Sequence, residues 1–137
     1  VKVFVYGTLR TGDSRHGVDT FVEMVAPEAY IDGFQMLNLG GFPGLVAGDG
    51  RVRGELHEYE NLKVLDRIEG YSEKTPEMGL YNRVQVPVFL ADGGVTCHDA
   101  WVYTFNGRHD FQTDDVIESG DWFEHRGYYE KLKEAGV

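Results

Sequence analysis

A chain of 137 residues, 42% of them hydrophobic, is long enough for one buried core and too short for two, so a single domain over residues 1–137 is expected. Its 13 Lys and Arg against 23 Asp and Glu leave a formal net charge of -10 with no cation cluster denser than Arg51 and Arg53, so neither nucleic acid nor a membrane surface is expected as a partner. One cysteine, Cys97, excludes an internal disulfide, no apolar run approaches the ~18 residues of a membrane span, and the apolar stretch 1–6 is too short for a signal peptide, so a cytoplasmic location is expected.

Residues 1–6 (VKVFVY) are dominated by β-branched and aromatic types and read as a buried strand that ends at Gly7 and delivers Tyr6, Gly7, Thr8 and Leu9 to a loop. Residues 11–17 are polar, and 18–25 read as a short helix. A long strand over 29–39 is interrupted at Gly33, where a bulge or a close approach is expected. Gly40-Gly41 then turns the chain into a short apolar piece, Phe42-Pro43-Gly44-Leu45-Val46. Gly48-Asp49-Gly50 is a second turn signal, and 51–59 alternates Val52, Gly54 and Leu56 against Arg53, Glu55 and His57, which predicts a half-solvated strand.

Asn61 is a candidate N-cap for a helix over 62–69 that stops at Gly70, with Leu62, Leu65 and Ile68 on one face. Residues 81–91 place Val84, Val86, Val88 and Leu90 on one side. Asp92-Gly93-Gly94 turns the chain into 95–106, so the two runs read as a hairpin with an edge or bulge at Pro87. Further on, Asp114-Asp115 opens a helical turn, Gly120-Asp121 breaks it, and 122–134 reads as a C-terminal helix. About six short strands against two or three short helices describe an α+β domain dominated by a curled or closed sheet.

The phosphate-loop, dinucleotide, nucleophile-elbow and zinc-protease motifs are absent, as is any paired C-x-x-C. His16, His57, His98, His109 and His125 are dispersed. The pairs His57-Glu58 and His98-Asp99 sit on strands, where neighbours point to opposite faces, so solvated or core-capping histidines are expected in place of metal ligands. Cys97, mid-strand, reads as a small buried apolar residue.

Glu69 stands out. At about 100° per residue, the stripe of Leu62, Leu65 and Ile68 is centred near 300° and Glu69 falls near 340°, on the apolar face. It also ends the helix, where the dipole disfavours a negative charge, so burial and dipole both push its pKa upward, as suits an acid or base near neutral pH. The alternative is a frayed helix end with Glu69 in solvent beside Arg67 or Arg83. Asp66, near 40°, borders the stripe and reads as the more solvated of the two acids. In the loop, Gly7 lets the backbone turn with N–H groups available to a carboxylate or amide oxygen; a plain strand-ending turn is the simpler reading.

Seven segments together resemble the γ-glutamylcyclotransferase-like family, which includes γ-glutamylamine cyclotransferases and avirulence-induced proteins. They are Phe4-Val5-Tyr6-Gly7-Thr8-Leu9-Arg10, Phe42-Pro43-Gly44-Leu45-Val46, Val52-Arg53-Gly54-Glu55-Leu56, Leu65-Asp66-Arg67-Ile68-Glu69-Gly70-Tyr71, Leu80-Tyr81-Asn82-Arg83-Val84, Ala100-Trp101-Val102-Tyr103 and residues 117–122, in the family's order. The resemblance implies a small mixed β-barrel flanked by short helices, with a pocket at the barrel mouth. It implies Glu69 as the catalytic residue, Tyr6, Gly7, Thr8 and Leu9 as holders of the glutamyl part of the substrate, and Tyr103 in the pocket wall.

The implied reaction is a cyclisation of the amine-lyase type: the substrate's α-amine attacks its own γ-carbonyl, giving 5-oxoproline and a free amine or amino acid, with no metal or other cofactor. A second reading is a non-catalytic module that captures a small ligand or peptide in the same pocket. The segment 72–79 is unusual for the family and is expected to cover the pocket if it is an insertion. With net charge -10, local donors in the loop, with Arg10 or Arg83 nearby, are expected to offset the field against an anionic substrate.

Overall fold

Residues 1–10, 20–76, 79–90, 97–106 and 115–134 are described by a computed structural model of the chain. Their elements are β1 (Lys2–Val5), β2 (Phe21–Asn38), β3 (Pro43–Tyr59), α1 (Lys63–Ile68), β4 (Tyr81–Leu90), β5 (Cys97–Phe105), β6 (Val116–Ile117), α2 (Trp122–His125) and α3 (Tyr128–Glu134). Val3, Phe4 and Val5 are all buried because β1 is covered on both faces, which is why it is apolar without alternation. It pairs antiparallel with β3 and parallel with β5, where Val3 meets Trp101.

The sheet runs β3-β1-β5-β4-β2, and β2 pairs again with β3. Five strands therefore close into a mixed barrel. β6 lies outside it, against Met36 and Leu37 of β2. The closure depends on the long β2–β3 hairpin, whose strands would span roughly 55–60 Å if straight, too long for a small barrel. Four register shifts bend it. At one of them Gly33, at φ +90°, faces an excess of residues on β3: Asp32 pairs with Arg51 and Phe34 with Ala47. The predicted interruption at Gly33 is this bulge. The predicted turn at Gly48-Asp49-Gly50 is its other half, and the two pieces expected on either side of it are one continuous strand.

Three further expectations are corrected. Residues 21–25 belong to β2 and not to a helix, because pairing of Phe21 with Tyr59 and Met24 with His57 overrides a marginal helical spacing; 18 and 19 lie outside the described residues. The stretch 51–59 is half-solvated only at its start: Arg53 keeps a third of its side chain exposed, but Glu55 and His57, expected on the same solvent face, are 4% and 0% exposed. The C-terminal helix is two helices. Asp121 caps α2, accepting from the amides of Phe123 and Glu124, and Gly127 separates α2 from α3. Asp114, where a helical turn was expected to open, lies outside the described residues; Asp115 is in a 3-10 turn that leads into β6.

The β4–β5 hairpin is antiparallel from Tyr81–Phe105 to Phe89–Cys97. Its predicted tip, Asp92-Gly93-Gly94, lies outside the described residues, as do the 11–17 loop, His16, His109 and the side chain of Cys97. Pro87 faces Asp99 of β5, away from the two β4 residues that pair with β2. β1 divides the core: Phe4 and Tyr6 pack with Leu56, Trp122 and Phe123, while Val3 and Val5 pack with Tyr59, Leu65, Tyr81 and Tyr103. Among the described residues no helix is long and apolar enough to cross a membrane.

Candidate active site

Helix α1 is one residue shorter at each end than expected. Leu62 occupies the N-cap position, and the Asn61 carboxamide instead accepts from the Lys63 amide at 3.0 Å. Leu65 is fully buried and anchors the helix to the barrel. Glu69 is its C-cap, donating its amide to Leu65 O, and it lines a cavity of about 290 Å³. Also lining this cavity are Tyr6, Gly7, Thr8 and Leu9, the turn at Gly41, Phe42 and Pro43, and Tyr81 and Tyr103 from the β4–β5 hairpin. The structure thus brings all six residues singled out in the sequence to one cavity. Among the described residues Glu69 is the only acid in its wall.

Gly7 is needed here for space. A Cβ at Gly7 would lie 2.7 Å from Pro43 Cγ, so the loop after β1 and the turn after β2 close on each other only without a side chain. The turn is fixed by the Arg10 amide donating to Gly7 O at 3.0 Å.

Three tyrosine hydroxyls feel the Glu69 charge. Burial, reinforced by Tyr81 and then Glu69, holds the Tyr6 phenol well above its ordinary pKa. Tyr59 is raised by burial, then by Glu55 and Glu69. Tyr103 is raised by burial and by its hydrogen bond to Asp66, against an opposing pull from Arg83. All three therefore remain protonated donors at neutral pH. Tyr6 donates to Tyr103 O at 2.5 Å, Tyr81 to Pro43 O at 2.8 Å and Tyr103 to Asp66 Oδ1 at 2.7 Å.

Asp66 is not the solvated acid expected. It takes the Tyr103 hydroxyl, and Arg83 Nε lies 3.1 Å from the same oxygen, at ion-pair distance though outside hydrogen-bond geometry. Arg83 is held between the rings of Tyr71 and Trp101, 4.6 Å from each centroid, and donates to Glu73 at 2.6 Å. Neither Arg83 nor Arg10 lines the cavity; Arg10 is paired with Glu55 and Asp121, and Arg83 with Asp66 and Glu73, from where its charge still acts on Tyr103 in the cavity wall. Nor do residues 72–76 or 79 line it. Glu73 binds Arg83, and the Asn106 side-chain Nδ2 donates to Pro76 O and Gly79 O.

Sequence reasoning missed Tyr81, whose hydroxyl ties the hairpin to the 41–43 turn, and a buried network of Arg10, Glu55, His57 and Asp121. Four polar side chains at apolar density offer no periodic signal, except that Glu55 and His57 share the i, i+2 face of β3. His57 bridges Glu55 Oε1 at 2.9 Å and the Tyr59 hydroxyl at 3.2 Å, a core role in keeping with the expectation for the histidines. Among the described residues no group of three or more His, Cys, Asp or Glu is placed to hold a metal ion.

A closed barrel with a cavity that a carboxylate and a tight backbone turn line together has the layout of a small-molecule site. Comparison with known proteins makes this specific: residues 3–124 match the family described as gamma-glutamyl cyclotransferase, AIG2-like, and the chain belongs to that family. It is 31% identical over 129 residues to the gamma-L-glutamyl-butirosin B gamma-glutamyl cyclotransferase of Niallia circulans, covering 91% of this chain and 77% of that protein. Identity is also 31% over 134 residues to the gamma-glutamylcyclotransferase family protein ytfP of Citrobacter rodentium, covering 93% of this chain and all of the relative (100%). Among solved structures, an uncharacterized protein from Pyrococcus horikoshii superposes with a TM-score of 0.63 at 25% identity, covering 96% of this chain and 97% of that one. The solution structure of ytfP from Escherichia coli gives 0.57 at 29% identity, covering 92% and 99%.

Proposed function

We propose that the chain is a cyclotransferase that converts a γ-glutamyl amine or γ-glutamyl peptide to 5-oxoproline and a free amine, with Glu69 as general acid and base. The observation that carries this reading is the placement of Glu69 and the loop Tyr6-Gly7-Thr8-Leu9 on one small cavity. The nucleophile, the α-amine, belongs to the substrate and closes a five-membered ring. The protein's main task is then to hold the reactive conformer, which lowers the barrier by several kcal/mol. Glu69 takes the proton that the α-ammonium must lose before it attacks, and later delivers one to the departing nitrogen. The amides of Gly7, Thr8 and Leu9 position the glutamyl oxygens, and Tyr103 closes the wall. No metal or cofactor enters this scheme.

The test is a panel of γ-glutamyl amines, γ-glutamyl dipeptides and glutathione, read by release of 5-oxoproline and amine. Turnover of at least one member is expected, together with its loss in Glu69→Gln at unchanged thermal stability. Full activity in that variant would sink the assignment. Tight binding without turnover would favour a ligand-capturing module.

A further inference from the structure

Arg10 directly follows the cavity loop, yet its guanidinium is 3% exposed and engages the opposite part of the core. Nε lies 3.0 Å from Glu55 Oε2 on β3, Nη1 3.1 Å from Asp121 Oδ1 and Nη2 3.3 Å from the Tyr129 hydroxyl on α3, while the guanidinium covers the Phe123 ring at 3.8 Å. Each anchor is itself fixed. Asp121 accepts from the Phe123 amide at 3.0 Å and from Tyr129 at 2.9 Å, and Glu55 holds His57. Burial alone would lower the pKa of Arg10, but its contacts with Tyr129 and Glu55 outweigh this and raise it, so the charge is retained.

A buried cation is costly unless its partners are well placed, and an apolar side chain at position 10 would cover Phe123 as well. Packing alone therefore does not account for an arginine here. What the arginine adds is direction: three anchors from β3, the α2 cap and α3 fix one guanidinium, and the Arg10 amide in turn closes the loop onto Gly7 O.

We infer that Arg10 is a positioning residue, through which the C-terminal helices set the amides of Gly7, Thr8 and Leu9 relative to Glu69. The inference rests on the reading of the cavity as a γ-glutamyl site. Substrate contacts of this kind need placement to within roughly 0.5 Å, and a glycine-containing turn does not supply this unaided. The C-terminal segment, remote from the cavity wall, thereby acts on substrate binding.

The test compares Arg10→Lys, Arg10→Met and Tyr129→Phe in the whole chain. Arg10→Met strands two buried acids and is at risk of not folding; Tyr129→Phe removes one hydroxyl and no charge. Expected are shifts in the backbone amide resonances of Gly7, Thr8 and Leu9 with the Leu65 amide unmoved. The KM for the best γ-glutamyl substrate is expected to rise about tenfold in Arg10→Lys, several-fold in Tyr129→Phe and most in any folded Arg10→Met, a 1 Å misplacement sufficing for effects up to ~100-fold. A partly unfolded sample lowers apparent kcat and leaves KM alone. Wild-type KM and unmoved loop amides in folded Arg10→Lys and Tyr129→Phe would overturn the inference. Lack of turnover by the wild type on every γ-glutamyl compound would instead overturn the cyclotransferase reading, because the amide shifts report the tether without substrate.

Discussion

The hydroxyl of Tyr6 donates to the main-chain carbonyl of Tyr103 across 2.5 Å, joining two residues 97 positions apart. Both line the cavity, so the end of β1 and the middle of β5 are bonded directly behind the surface a ligand would touch. Tyr6→Phe removes the donor and leaves a buried carbonyl short of a partner. The expected loss of stability is about 1–3 kcal/mol, read from urea unfolding. A variant as stable as the wild type would mean that the carbonyl finds another donor.

Gly7→Ala places a methyl group 2.7 Å from Pro43 Cγ. Either the 41–43 turn retreats or the loop does, at a cost of about 1–3 kcal/mol. Because both segments form the cavity wall, ligand affinity is expected to fall along with melting temperature. An alanine variant with unchanged melting and affinity would show that the two segments give way freely.

Asp66→Ala removes the acceptor of the Tyr103 hydroxyl and the ion-pair partner of Arg83. Arg83 keeps Glu73 and its two aromatic neighbours, so the fold is expected to survive with a loss of about 1–3 kcal/mol. The Tyr103 phenol, raised by burial and then by Asp66, is expected to ionise at lower pH than in the wild type. Tyrosinate absorbance during an alkaline titration reads that difference.

Tyr6, Tyr59 and Tyr103 have folded-state pKa values above the ordinary 10.0, with burial as the leading cause in each. The folded state thus holds these protons more tightly than the unfolded chain does. Their contribution to stability is fully present below pH 10 and is lost as pH rises above it, where only unfolded tyrosine ionises. Unfolding free energy measured across the alkaline range is expected to fall with pH from about 10 upward, and a flat profile would contradict the burial of these phenols.

The helix that carries Glu69 was legible because three leucine and isoleucine positions repeat at helical spacing and one acid interrupts them. The hairpin of β4 and β5 was legible from alternating valines. Less visible was anything decided by distant pairing. Phe21 and Met24 join a strand because Tyr59 and His57 lie opposite, and Glu55 is buried because Arg10 and His57 meet it there. An alternating pattern is read as half-solvated when the partners of its polar half lie in other elements. Gly48 and Gly50 signal a bend correctly, but whether a bend reverses the chain or only bulges it depends on Gly33 across the hairpin.

The parallel contact of Val3 with Trp101 sets the order in which the molecule can assemble. A strand within the first five residues has its two neighbours only in β3 and β5, so the barrel cannot close until the chain has been made as far as residue 105. Helices α2 and α3, which hold Arg10, come later still. Such long-range closure makes folding slow for the size of the domain. It also leaves the β5-facing edge of the apolar Val3-Phe4-Val5 strand unpaired until β5 has been made, a period in which the nascent chain is open to strand pairing with another copy.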